Sequence, residues 1–151
     1  MKATGIVRRI DDLGRVVVPK EIRRTLRIRE GEPLEIFTNR EGGIVLKKYS
    51  PIGELAAFAK EYVEAGAQGA KCTVCVTDRD RIVAVAGPGK KDYAGKSIHR
   101  ELLEAIEDRR TILATDAEPD FSQVTEDETE VFSEAAATIL AEGDAIGMVL
   151  L

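Results

Sequence analysis

The spacing of apolar and polar residues changes several times along the chain. Residues 3–10 (ATGIVRRI) are rich in β-branched side chains and predict a strand. Neither parity of that strand is cleanly polar: Thr4, Ile6, Arg8 and Ile10 alternate with Ala3, Gly5, Val7 and Arg9. A half-buried hairpin shows one apolar and one polar face, so this mixture predicts that both faces meet protein. Asp12-Leu13-Gly14 predicts a turn, with Gly14 free to take positive φ. Residues 15–18 (RVVV) predict a second strand. Pro19 suits the first position of a helix, where its missing N–H costs nothing. That helix, 19–27, puts Ile22 and Leu26 on one face and stops at Gly31. Residues 34–38 and 44–48 flank NREGG, a second hairpin signal. The first fifty residues thus read β-β-α-β-β. So short a unit buries little core alone, and the two-sided first strand implies an obligate dimer in which the hairpins of two copies interlock.

Ser50-Pro51 marks a boundary. The following PIGELAAFAKEYVEAG has helical spacing, broken at Gly66 and Gly69, and predicts a connecting helix able to pair with its copy. Residues 71–77 and 81–86 predict strands around the turn Asp78-Arg79-Asp80. Residues 97–109 predict a helix with Ile98, Leu102, Leu103 and Ile106 facing a core. A short strand is expected at 111–115, an acidic loop at 116–130 and a strand at 145–151, while 131–140 fits helix or strand equally. The expected fold class is α+β: a β-rich head (1–50), a helical linker (51–69) and a mixed sheet-and-helix body (70–151).

Composition changes this picture in one respect. Apolar residues at 44% and charged residues at 32% are those of a globular chain, and no apolar run reaches the roughly 18 residues that span a bilayer. The N-terminus lacks a signal-peptide pattern, so the expected address is the cytoplasm, with no membrane partner. The net charge of −5, however, conceals a split. Residues 1–50 hold 12 Lys and Arg against 7 Asp and Glu, while residues 51–151 hold 10 against 20. A basic head on an acidic body points to a polyanionic partner for the head alone.

The head's arginines carry that expectation. Arg8 and Arg9 end the first predicted strand, Arg15 opens the second, and Arg23, Arg24 and Arg27 ride the short helix, with Arg23 and Arg24 off the Ile22/Leu26 stripe. A guanidinium forms a charge-assisted, often bidentate fork with phosphate. The plainer alternative is a solvated basic face neutralised by Asp11, Asp12 and Glu21. Other constellations read blandly. GPGKKDYAGKS (87–97) resembles a phosphate-binding loop, but the glycine count is wrong, since Lys90 stands where the first glycine belongs. It reads as a loop whose Ser97 caps the next helix, leaving a nucleotide-binding switch there as an alternative. Cys72 and Cys75 read as small apolar residues rather than a redox or zinc pair. His99, the one histidine, reads as a rim residue. The acidic loop hints at calcium but has Phe121 where glycine is required. No catalytic residue, cofactor or metal is expected.

The order of residues sharpens the reading. The Thr-Gly opening, the Asp-x-Leu-Gly-Arg turn, the Val-Val-x-Pro step, the Ile-Arg-Arg-Thr-Leu helix and the Leu-Glu-Ile strand closely resemble the DNA-binding head of the AbrB family of transition-state regulators. The resemblance implies a swapped-hairpin dimer that grips double-stranded DNA through arginines matching Arg8, Arg15, Arg23 and Arg24, with Arg9 beside them. CVTDRDRIVAVAGPGKKDYAGKSI matches more loosely a GAF-like regulatory domain. It implies a body that joins dimers into a homotetramer and binds a small-molecule effector of unknown identity. GAF-like domains usually end in a long helix after the last strand, so the stop at Leu151 leads to the expectation of either a cut chain or a shortened version. The implied function is sequence-specific gene control in bacterial spore development, on the nucleoid, by a protein that is not an enzyme. AbrB-type heads also occur on antitoxins that neutralise a small toxin, which is the competing partner.

Overall fold

The computed structural model describes residues 4–127 and 131–151. Ala3 of the first predicted strand and residues 128–130 of the acidic loop lie outside the described residues. The chain divides into two compact units, Met1–Tyr49 and Ser50–Leu151.

The first unit contains one short helix, α1 (Lys20–Thr25), and one antiparallel hairpin, β1 (Leu34–Thr38) with β2 (Ile44–Lys48). The hairpin register runs from Leu34↔Lys48 to Thr38↔Ile44. Asn39 closes its loop by accepting from the N–H of Gly43 at 2.7 Å and of Glu41 at 3.1 Å, as an Asx turn does. The strands expected over 3–10 and 15–18 are not formed within the single chain: residues 4–10 and 15–18 carry no ladder. A strand exists only through its partner's N–H and C=O groups, and the backbone bonds of the turn do not reach beyond it: Asp11 N–H donates to the Arg15 carbonyl and Gly14 N–H to the Asp11 carbonyl, both at 3.0 Å. Pro19 is the N-cap of α1 rather than its first helical residue, and the helix stops at Thr25, before Gly31. The expected Ile22/Leu26 core stripe is absent, with Leu26 exposed. No residue between 4 and 49 is buried. Val7 and Val17 are 84% and 72% exposed, and Ile36, Ile44 and Leu46 share one open apolar face of the hairpin.

The second unit is a five-stranded, wholly antiparallel sheet of order β4-β3-β7-β6-β5. Its strands are β3 (Val74–Thr77), β4 (Ile82–Ala86), β5 (Thr111–Thr115), β6 (Ser133–Ala141) and β7 (Asp144–Leu150). The helices are α2 (Pro51–Glu54), α3 (Ala56–Ala70) and α4 (Arg100–Glu107). Two apolar clusters form. Ile52, Ala59 and Val63 of α2 and α3 meet Val74 and Val76 of β3 and Ala84 and Ala86 of β4. Leu102, Ala105 and Ile106 of α4 meet Cys75, Ile112, Ala114, Met148 and Leu150. Alternate residues of β3 therefore serve different clusters, and all four of its residues are buried. This explains why VCVT shows no polar face.

Several boundaries differ from expectation for identifiable reasons. α3 runs through Gly66 and Gly69 to Ala70 and packs on β3 and β4. Burial of Ala59 and Val63 outweighs the roughly 1 kcal/mol that a mid-helix glycine costs. The N-cap of α4 is His99, not Ser97: its Nδ1 accepts from the Glu101 N–H at 3.3 Å. The ambiguous 131–140 stretch is mostly strand. The acidic loop is not simply solvated, since Ser122, Val124 and Thr125 are buried. The buried Glu134 carboxylate holds the loop by accepting from the Ser122 N–H at 2.6 Å. Burial pushes that carboxyl's pKa up, against the Ser122 bond and the Arg110 charge, which pull it down.

Gly147 shows how tightly β7 fits. A Cβ there would lie 1.9 Å from the Thr77 carbonyl oxygen and 2.6 Å from Ile52 Cδ1. Gly147→Ala is expected to destabilise the protein by about 1–3 kcal/mol, as overpacking does. Gly69→Ala, whose Cβ would meet nothing within 4 Å, is expected to stabilise it by up to about 1 kcal/mol. Urea unfolding of the two variants beside wild type checks both signs.

Candidate nucleic-acid interface

The cationic surface of the first unit is assembled by the way α1 ends. The N–H of Arg27 donates to the Arg24 carbonyl at 3.1 Å, and the N–H of Ile28 donates to the Arg23 carbonyl at 2.7 Å. This is the paired-bond C-cap that usually requires glycine in the left-handed region. Here the residue is Arg27, at φ 53°. The cap folds the chain back over the helix end. As a result Lys20, Arg23, Arg24, Arg27 and Arg29, with Ile28, line one open concavity of about 410 Å³.

Three further contacts fix the segment after the helix. Lys48 Nζ, on β2, donates to the Arg27 carbonyl at 2.7 Å. Glu32 accepts from the Arg29 N–H at 2.8 Å, and its other oxygen lies 3.5 Å from Lys48 Nζ. Neither Glu32 nor Lys48 is fully exposed, with side chains 13% and 22% accessible.

Arg8, Arg9 and Arg15 are exposed, but none of them lines that concavity within one chain. Arg15 is oriented by Asp11, whose Oδ2 accepts from Arg15 Nε at 2.8 Å while Oδ1 accepts from the N–H of Arg15 (2.8 Å) and of Leu13 (3.0 Å). The Arg15 N–H and guanidinium hold the Asp11 carboxyl below its ordinary value. The structure thus brings Arg23 and Arg24 together and leaves Arg15 on the Asp11–Arg15 turn and Arg8 and Arg9 on the segment before it.

The second unit places its other candidates in structural roles. Tyr93 of the 87–97 loop is buried, and Lys96 pairs with Asp127 at 2.7 Å. Gly87, at φ 106°, is required there because a Cβ would stand 2.4 Å from the Cys72 carbonyl oxygen. Cys75 is buried and Cys72 half-buried, both as free thiols. Burial pushes the Cys75 thiol up to about 12. The Thr115 N–H and hydroxyl donate to Glu118 at 2.6 and 3.0 Å and hold its carboxyl low, so this acid of the calcium-like stretch is already engaged. Among the described residues no group of three or more His, Cys, Asp and Glu side chains could hold a metal ion. No described helix is long and apolar enough to cross a membrane.

Comparison with known proteins decides the lineage. Stage V sporulation protein T of Bacillus subtilis (strain 168) is 53% identical over 151 residues, which is 100% of this chain and 84% of that protein. The family model described as stage V sporulation protein T C-terminal, transcription factor, matches residues 54–151. The chain belongs to the stage V sporulation protein T family of transcription factors. The family's head is shared more widely. The transition state regulatory protein AbrB of the same organism is 61% identical over 51 residues, 34% of this chain and 52% of that protein. The solution structure of the N-domain of the transcription factor abrB is also 61% identical, covering 34% of this chain and 96% of that one, with a TM-score of 0.31. A model described as antidote-toxin recognition MazE, bacterial antitoxin, matches residues 7–54.

Sequence reasoning missed Lys20 and Arg29 as members of the cationic surface of this family member, and it placed Arg27 on the helix rather than in the left-handed cap beyond it. The available signal was the Leu-Arg-Ile-Arg-Glu run after the helix, residues 26–30, which carries no glycine and so gives no hint that the chain turns back there.

Two outcomes follow from the ionisable groups. Because the folded-state pKa of Asp11 is lowered, the turn's stabilisation is fully present above the ordinary aspartate value of 3.8 and is lost as pH falls through the lower folded-state value. A carboxyl titration by NMR should give a midpoint for Asp11 below the ordinary value, and a midpoint at or above it would contradict the Arg15 contacts. At pH 8 a thiol reagent should label Cys72 in the native protein and reach Cys75 only after unfolding.

Proposed function

We propose that the chain is a sequence-specific, DNA-binding transcriptional regulator acting in spore development. Its head works as a dimer that grips duplex DNA through Arg8, Arg9, Arg15, Arg23 and Arg24. The observation that carries the reading is the concavity where Arg23 and Arg24 stand with three more cations on a unit with no buried residue among its described residues, 4–49. A head without an interior and with open apolar faces is completed by a second copy, and a second copy doubles the arginine set. Interlocked hairpins would supply the ladder that residues 4–10 and 15–18 lack, and would cover Val7, Val17, Ile36 and Ile44.

The chemistry of the grip is phosphate neutralisation. Guanidinium groups displace condensed counterions from the duplex, so affinity falls steeply with salt. The short α1 offers cations rather than a varied set of base-reading side chains. Specificity then leans on duplex shape and deformability with a few arginine contacts to guanine edges. The net negative body repels phosphate and keeps the contact confined to the head.

We extend the reading to the body. The exposed row Leu55, Phe58 and Tyr62 along α2 and α3 supports a second contact between copies and hence a homotetramer. A small-molecule effector acting on the body, and residence on the nucleoid in the cytoplasm, belong to the same reading. The antitoxin-type match covers the head alone. It supports a shared head rather than a toxin as partner.

A gel-shift salt series tests the reading. If the four family-type arginines of each chain (Arg8, Arg15, Arg23 and Arg24) each neutralise about one phosphate, log K against log salt should slope at roughly −7 for a dimer. Arg23→Ala/Arg24→Ala should flatten it by about 3 to 4, and an unchanged slope would remove those side chains from the interface. The dimer requires a thermal midpoint that rises with protein concentration.

A further inference from the structure

We propose that Glu32 and Lys48 form a positioning pair that presents Arg27 and Arg29, beside Arg23 and Arg24, as an additional seat for a backbone phosphate of duplex DNA. The inference rests on the DNA reading above and deepens it. It names contacts and a supporting pair that the five arginines assigned to DNA do not include.

Arg27 and Arg29 sit after the end of α1, in a segment with no regular structure of its own. Such a segment would ordinarily be free to swing, and a swinging cation contributes little because binding must then order it. Both residues are instead fixed through their backbones. The Arg27 peptide is held on one side by its N–H bond to Arg24 and on the other by Lys48 Nζ at its carbonyl, 2.7 Å away. The Arg29 N–H is held by Glu32 at 2.8 Å. The 3.5 Å approach of Glu32 to Lys48 closes the frame. β2 is thereby linked to the helix end across 21 residues of sequence.

The pair also has an electrostatic logic. Lys48 spends its charge on a carbonyl and a carboxylate, and Glu32 sits within a strongly basic surface. An acid there weakens attraction to a polyanion through space, so a merely electrostatic role would make Glu32 harmful to binding. Its backbone contact gives it the opposite role. The two roles predict opposite signs for one substitution.

The test uses the full chain, a duplex it binds, and a salt series. Arg27→Ala and Arg29→Ala should each weaken binding severalfold. Each should flatten the log–log salt slope by about 1 to 2, since a dimer loses the contact twice. Glu32→Ala should weaken binding severalfold although it removes a negative charge. Lys48→Met should weaken binding more than Lys47→Met, which deletes the same charge on the neighbouring residue where Lys47 stands over the Phe37 ring at 4.9 Å. Lys48→Arg, which keeps a donor for the carbonyl, should recover most of the loss. The proposal is overturned if Glu32→Ala tightens binding, or if Arg27→Ala and Arg29→Ala keep the wild-type slope while Arg23→Ala/Arg24→Ala flattens it. Should Glu32→Ala unfold the head, as a lowered thermal midpoint would reveal, the Lys48→Met and Lys47→Met comparison decides, and equal losses sink the pair. A wild-type chain that ignores duplex even in dilute buffer brings down the DNA reading itself and this inference with it.

Discussion

The head has apolar side chains but no interior, and that constraint governs the rest of the molecule. A unit of this size gains stability only by removing apolar area from water, at roughly 25 cal/mol per Å². None of residues 4–49 is fully buried, so one copy of this sequence supplies little of that term from its own contacts. The backbone tells the same story. Residues on either side of the Asp11–Arg15 turn run without a ladder, and extended backbone polar groups seek partners. In the proposed dimer, association is part of folding rather than an event after it, and the cationic surface would inherit its copy number from that coupling.

The body solves its own problem differently. Its sheet is covered on both faces, by α3 on one side and α4 on the other. The inner strand β3 is buried on both faces, and Gly147 lets the central strand β7 lie against the Thr77 backbone. The acidic stretch is stitched down by the Ser122–Glu134 bond rather than left wholly to solvent.

How much of this could be read from residues alone depended on whether the cause was local. The hairpin 34–38/44–48 was legible because Asn39 and the glycines of NREGG dictate a turn between two apolar runs. The body strands at 82–86 and 111–115 stood out for similar reasons, being short and apolar between turn residues. The ends of α3 and α4 were misplaced because distant contacts decided them: Val63 under the sheet carries α3 through two glycines, and His99 takes the capping place that Ser97 was expected to hold. The run 121–125 was hidden by the acids around it, although Phe121 and Val124 carry the packing. At the candidate interface, Arg23 and Arg24 were legible from helical spacing and family likeness. The expectation put Arg27 on the helix and did not include Arg29, because their placement depends on an Arg in a conformation that glycine normally takes and on Lys48 and Glu32.

That left-handed arginine has an evolutionary consequence. A non-glycine residue there carries about 1 kcal/mol or more of backbone strain. A glycine at position 27 would relieve it and strengthen the helix stop. Selection for stability alone therefore pulls this site toward glycine, and selection for a cation at the rim pulls it back. Variation at this one codon across sister proteins would record which pressure prevailed in each, a tug-of-war between folding comfort and grip written in a single residue.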